Sequence, residues 1–196
     1  MKPGPDKQFD PETALAAAIE VFRERGYEGA SLSRLTAEMG IGKKSLYDTF
    51  GNKRELFLRA IRHYGDQAVL MFQGKLAEEK SPMKGLRALF RTLERVSSEP
   101  CSKGCMIAAN LGDFDQEDKD VAEVLAKLLK KQEDVLRKHL ERAKEAGELD
   151  SRVQPRAAAR LLVSLAQGTS LIGRFTVGSE PARSAYSEAL RYLQKA

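Results

Sequence analysis

Metal-binding and disulfide-forming residues are scarce in this chain of 196 residues, which has two cysteines, two histidines and no tryptophan. Cys101 and Cys105 are too few for a disulfide framework, and His63 and His139 stand too far from them in sequence to suggest a zinc set. No metal or other cofactor is therefore expected. Apolar runs of bilayer length are missing, and the opening MKPGPDKQFDPETA has no apolar core of the kind a secretory signal requires, so a cytoplasmic protein without a membrane partner is expected. Period-two alternation is also missing, and prolines and glycines fall mostly at the edges of helix-period segments. That pattern excludes a sheet protein and predicts an all-α chain.

What is present is an ordinary globular balance, 42% hydrophobic and 31% charged residues, with a net charge of +5 and a pI near 9.2. A basic excess of this size favours an acidic partner such as nucleic acid without requiring one.

Helix punctuation organises the first third. Roughly the first 15 residues are expected to fray. Asp10 caps a helix with Pro11 at its first position and Leu15, Ile19 and Phe22 on one face, and Gly26 is expected to stop it. Ser31 caps a second, short helix with Leu32, Leu35 and Met39 on its apolar side, ending at Gly40. Only Ile41 and Gly42 separate it from a third helix over Lys43 to Phe50, a spacing that suggests a helix-turn-helix. Asn52 and Glu55 form a capping-box pair opening a fourth helix that runs toward Leu76. Further helical patterns cover 83–96, 104–114, 121–147, 155–175 and the segment from Pro181.

The third helix is short and polar. On a helical wheel Leu46 and Phe50 share one face, Lys44, Ser45 and Asp48 lie opposite, and Lys43 and Tyr47 flank them. The apolar pair must pack inward, which leaves a mainly basic face suited to the DNA major groove. Lys44 can donate to guanine and Asp48 can accept from cytosine; the alternative for these two is a plain i,i+4 ion pair. Ser31 and Ser33 at the start of the second helix, and Lys53 and Arg54 at the start of the fourth, are expected to clamp phosphates on either side.

Residues 31–57, SLSRLTAEMGIGKKSLYDTFGNKRELF, closely resemble the helix-turn-helix signature of the TetR/AcrR family of bacterial transcriptional regulators. The landmarks include Phe22, Gly26, Leu35, Ala37, Gly40, Ile41, Leu46, Tyr47, Phe50, Lys53, Glu55 and Leu56. Ser31 stands where the family usually has Thr, and Gly42 where it often has a hydroxyl cap; both residues remain acceptable N-caps. The resemblance implies a nine-helix protomer in a homodimer. It divides the chain into a DNA-binding domain at 1–60 and an effector-binding and dimerisation domain at 61–196. It also implies a regulator, in the repressing sense, that leaves a double-stranded, near-palindromic operator when a small-molecule effector binds. Carried over, the DNA contacts fall on Lys43, Lys44, Ser45, Tyr47 and Asp48, with Ser31 and Lys53 on phosphate.

The same resemblance places an effector pocket among the fourth to eighth helices, where Phe90, Met106, Phe114 and Leu165 are candidate lining residues and Asn110 and Gln167 candidate polar anchors. Cys105, near Lys103 and an expected helix start, is a further candidate, either as a reactive thiol in a redox- or electrophile-sensing regulator or as an ordinary core cysteine. A Cys101–Cys105 disulfide is disfavoured in a reducing compartment. Apolar residues on two sides of the 155–175 helix, Leu161, Leu162, Val163, Leu165, Leu171 and Ile172, fit a helix wedged between its own core and a partner subunit. With Tyr186, Leu190 and Leu193 of the last helix it is expected to build a four-helix dimer interface. Two readings from other classes remain: a thiol enzyme working through Cys105, and a helical interaction module that does not bind DNA. His63 and His139 are given no role.

Overall fold

The structure, a computed structural model, describes residues 9–98, 104–115, 117–176 and 178–194. The expectations for Cys101 and Lys103, the disulfide included, concern residues outside these. Among the described residues the regular structure is entirely helical: α1 (Pro11–Gly29), α2 (Leu32–Glu38), α3 (Lys43–Phe50), α4 (Lys53–Ala77), α5 (Pro82–Ser98), α6 (Met106–Asn110), α7 (Lys119–Glu145), α8 (Pro155–Ile172) and α9 (Glu180–Leu193).

Local chemistry sets most of these ends. The Asp10 carboxylate accepts from the N–H groups of Glu12 and Thr13, so α1 begins inside the stretch expected to fray. The Ser31 hydroxyl accepts from Arg34 N–H. Asn52 and Glu55 close a full capping box at α4. At Gly40, φ is 65°, the left-handed turn that lets α3 start only three residues later. Three boundaries differ from expectation, one being the 155–175 helix, which ends at Ile172. Gly26 (φ 70°, ψ −180°) is a break inside α1, after which helical bonding resumes to Gly29. The 104–114 pattern yields only the five-residue α6, whose Asn110 side chain donates back to the Met106 carbonyl; such local bonding competes with helix continuation.

Two hydrophobic clusters form the interior. The first joins α1 to α4 through Phe22, Leu35, Leu46, Phe50 and Phe57, and continues into Met106, Ile107, Val121 and Leu125. The second joins the far half of α4 to α5, α7, α8 and α9 through Phe72, Leu86, Phe90, Leu140, Leu162 and Tyr186. Each buried Leu or Phe stabilises the fold by about 1.5–3 kcal/mol relative to exposure. The boundary expected after residue 60 falls within α4, a continuous helix that serves both clusters. The face of α7 that carries Val121, Val124, Leu125, Leu128, Leu136 and Leu140 is buried, and it also carries Gln132 and His139 into the core. His139 Nε2 donates to the Pro82 carbonyl at 2.7 Å, so it ties α7 to the start of α5.

Candidate nucleic-acid interface

Helix α3 is held from beneath. Leu46 and Phe50 are buried in the first cluster, and Arg59 of α4 donates to the Thr49 carbonyl at 2.9 Å while lying 5.5 Å from the centre of the Phe50 ring. These contacts leave Lys43, Lys44, Tyr47 and Asp48 exposed on one surface, with Ser45 half-buried beside them. Tyr47 has 48% of its surface open, an unusual exposure for a large aromatic residue. Among the described residues no ion pair joins Lys44 to Asp48.

On the near side of this surface, Ser31 and Ser33 are exposed, with their hydroxyls 3.0 Å apart. On the far side, the start of α4 is less open than its position suggested. The N–H groups of Arg54 and Glu55 are already bound by the Asn52 side chain, at 2.9 and 3.0 Å, and the Asn52 N–H is bound by Glu55. What that end of α4 can still offer an anion is the Lys53 backbone N–H and the Lys53 ammonium, which lies over the Tyr27 ring, 4.3 Å from its centre.

Arg54, expected beside Lys53 as a phosphate clamp, points elsewhere. Its guanidinium binds Asp120 through Nε and Nη2, at 3.0 and 2.5 Å, and Asp118 at 2.8 Å, and it covers the ring of Phe114. The hydrogen bonds that Arg54 donates to Asp120 and then to Asp118 raise its pKa above the ordinary value. In return, the hydrogen bond from Arg54 lowers Asp120 to about 2. Close by, the Asp113 carboxylate accepts from the Tyr27 N–H at 2.7 Å, directly after the break at Gly26. Phe114 packs against Tyr27 and Phe57, with ring centres 4.8 and 5.1 Å apart. Arg23 adds a bond to the Gly104 carbonyl, and Arg174 one to the Glu24 carbonyl. Sequence reasoning missed Tyr27, Asp113, Asp118 and Asp120, because nothing local marks partners as distant as Arg54 and Asp120, 66 residues apart, or Tyr27 and Asp113, 86 residues apart.

The candidate effector residues are not gathered in one place. Cys105 and Gln167 meet, Sγ to Oε1 at 3.5 Å, and Gln167 donates onward to buried Gln132 at 3.1 Å. The Cys105 N–H donates to the Ser170 hydroxyl. Tyr64 joins this group; burial first, and then neighbouring Cys105, raises its pKa. Met106 and Asn110 are buried on α6, and the Asn110 Oδ1 has no partner among the described residues. Phe114 belongs to the contact with the N-terminal helices. Phe90 stacks on Tyr186 at 4.7 Å. Leu165 lines a separate cavity of about 220 Å³ between α8 and the start of α9.

A three-helix head with an exposed basic recognition surface, carried on a helical body, has close counterparts. Residues 14–60 match the family profile described as bacterial regulatory proteins, tetR family, and residues 82–189 match the tetracyclin repressor-like C-terminal domain. The chain belongs to the TetR family of bacterial regulatory proteins. It is 37% identical over 150 residues to the uncharacterised helix-turn-helix regulator YezE of Bacillus subtilis (strain 168), covering 75% of this chain and 76% of that one. It is 29% identical over 173 residues to the repressor ComR of Escherichia coli (strain K12), covering 87% and 82%. Its fold matches a cysteine mutant of the TetR family regulator CifR complexed with 26-base-pair double-stranded operator DNA, with TM-score 0.86 and 28% identity over 97% of this chain and 100% of that one. This TetR-family protein is a DNA-binding transcriptional regulator and not an enzyme, so the thiol-enzyme reading falls away. No helix among its described residues is long and apolar enough to cross a membrane.

Proposed function

We propose that this regulator works in the cytoplasm as a homodimeric repressor whose α3 helices enter successive major grooves of a near-palindromic operator. The observation that carries this reading is the surface of α3, where Lys43, Lys44, Tyr47 and Asp48 are exposed while Leu46 and Phe50 anchor the helix. In this reading Lys44, Ser45 and Asp48 address base edges, and Ser31, Ser33 and Lys53 make flanking contacts. The two domains are taken as 1–60 and 61–196, coupled through α4 and the contacts around Tyr27 and Arg54.

Exposed apolar residues on the last two helices and just after α8 support the dimer: Leu161, Ile172 and Tyr192 are each at least half open, and Phe175 is 84% open. Patches of this kind mark interfaces. For the effector, the groups of Cys105, Gln167, Gln132, Ser170 and Tyr64 support a site for a small molecule with hydrogen-bonding groups. Effector binding releases DNA only if it favours the arrangement of heads that does not fit the operator.

The experiment is fluorescence anisotropy with DNA flanking the protein's own gene, at two salt concentrations, against a scrambled fragment. Tight binding that is lost on scrambling and weakened by Lys44→Ala is expected. Equal binding to both fragments, unchanged by Lys44→Ala, would favour the interaction-module reading instead.

A further inference from the structure

We infer that Tyr27 is a positioning residue for DNA binding: its ring holds the Lys53 ammonium as a phosphate clamp, and the 113–114 segment of the effector half holds the ring. This rests on the DNA-binding reading above and adds to it a residue outside the helix-turn-helix.

Lys53 is the first residue of α4, where the helix dipole is positive and repels an ammonium group. A long lysine side chain in that place has every reason to swing into solvent. It lies instead 4.3 Å from the centre of the Tyr27 ring, within the range of a cation–π attraction that offsets the repulsion. The backbone N–H groups of Arg54 and Glu55 are taken by the Asn52 cap, and Arg54 itself is taken by Asp118 and Asp120. The side-chain cation left to a phosphate at this edge of the recognition surface is therefore the Lys53 ammonium, and its location is set by one ring.

The ring is in turn fixed. Phe57 meets it edge-on at 5.1 Å and Phe114 packs against it at 4.8 Å. The Tyr27 backbone is pinned by the Asp113 carboxylate at 2.7 Å. Two of these restraints, Asp113 and Phe114, come from the segment just after α6, whose other end carries Cys105 and its contacts with Gln167 and Ser170. A shift of this segment moves the Lys53 ammonium without deforming α3.

The test is a salt series of operator binding for the full-length protein and for Lys53→Ala, Tyr27→Leu, Tyr27→Phe and the double variant Lys53→Ala/Tyr27→Leu. Thermal unfolding verifies that each folds, and Tyr27→Met replaces Tyr27→Leu if that variant does not. Loss of one phosphate contact lowers the slope of log affinity against log salt by about one per protomer. That drop is expected for Lys53→Ala and for Tyr27→Leu, with no further drop in the double variant, and Tyr27→Phe is expected to keep the original slope because its ring retains a π face. A merely structural role for Tyr27 would lower affinity at every salt concentration and leave the slope unchanged. An unchanged slope in Lys53→Ala, a double variant that sums both effects, or a Tyr27→Phe variant that behaves like Tyr27→Leu would each overturn the inference. Lys44→Ala separates the two readings. If it weakens operator binding while Lys53→Ala and Tyr27→Leu leave the slope intact, only the Tyr27 inference fails; if neither lysine matters, the DNA-binding surface itself is wrong.

Discussion

Tyr47 is nearly half exposed on a helix whose Leu46 and Phe50 are buried, so its hydroxyl has solvent or DNA to bind and little in its own chain. Tyr47→Phe is accordingly expected to leave the melting temperature unchanged, within about 0.5 kcal/mol as for most surface changes. Operator binding should weaken by roughly 0.5–1.5 kcal/mol, the net worth of one hydrogen bond; a melting curve and an anisotropy titration check both halves. His139 presents the opposite case. Burial, its main influence, lowers its pKa from 6.5, and its neutral ring donates to the Pro82 carbonyl. Below about pH 6.5 the unfolded chain takes up a proton that the folded chain refuses, so this stabilisation is complete above that pH and is lost as pH falls from there through the lower pKa of the folded ring. Urea midpoints at about pH 7.5 and pH 5.5 should therefore fall apart more in the wild type than in His139→Gln, which keeps a donor and cannot titrate. Sequence reading saw His139 only as a lone histidine on a charged helix; its burial depends on the α5 turn that meets it.

At the scale of elements, the break in α1 and the turn after α6 are made for each other. Gly26 sits at φ 70°, and a Cβ there would come within 2.5 Å of the Asp113 carboxylate. Gly26→Ala should cost about 1–3 kcal/mol from backbone strain alone, and more while Asp113 is present. In a double-mutant cycle measured by urea unfolding, Gly26→Ala with Asp113→Ala is expected to cost less than the sum of the single changes, because removing the carboxylate relieves the clash but not the strain. A strictly additive result would mean that the two elements do not touch in this way. The glycine itself was legible as a helix breaker. Its partner was not, since Asp113 lies 86 residues from the N–H it binds. The same holds within NKR at 52–54: the capping box was readable from Asn52 and Glu55, whereas the course of Lys53 onto Tyr27 and that of Arg54 to Asp118 and Asp120 were not, the two being adjacent cations.

For the whole molecule, the exposed apolar surface is concentrated on α8, its end and α9, where Ile172 is 52% and Phe175 84% open. A carboxylate placed in such an apolar surface and buried unpaired against a partner costs several kcal/mol. Ile172→Glu is therefore expected to give a folded monomer by light scattering, and the monomer should bind the operator far more weakly than the wild type because each half-site is then held by one head alone. A dimer that survives this change would move the interface elsewhere.

Taken by itself, the sequence determined the helical class, the N-terminal helix boundaries near the helix-turn-helix, and the buried and exposed faces of α3. Those features are written within about four residues of one another, in caps, glycine turns and helical periodicity. Only the tertiary structure decided that Phe114 packs on the head, that Cys105 meets Gln167 while Phe90 meets Tyr186, and that Arg54 turns to Asp118 and Asp120 while Lys53 rests on Tyr27. Each of those pairings joins groups from different helices, and close packing of helices chooses such partners by position in space, with no trace in local spacing.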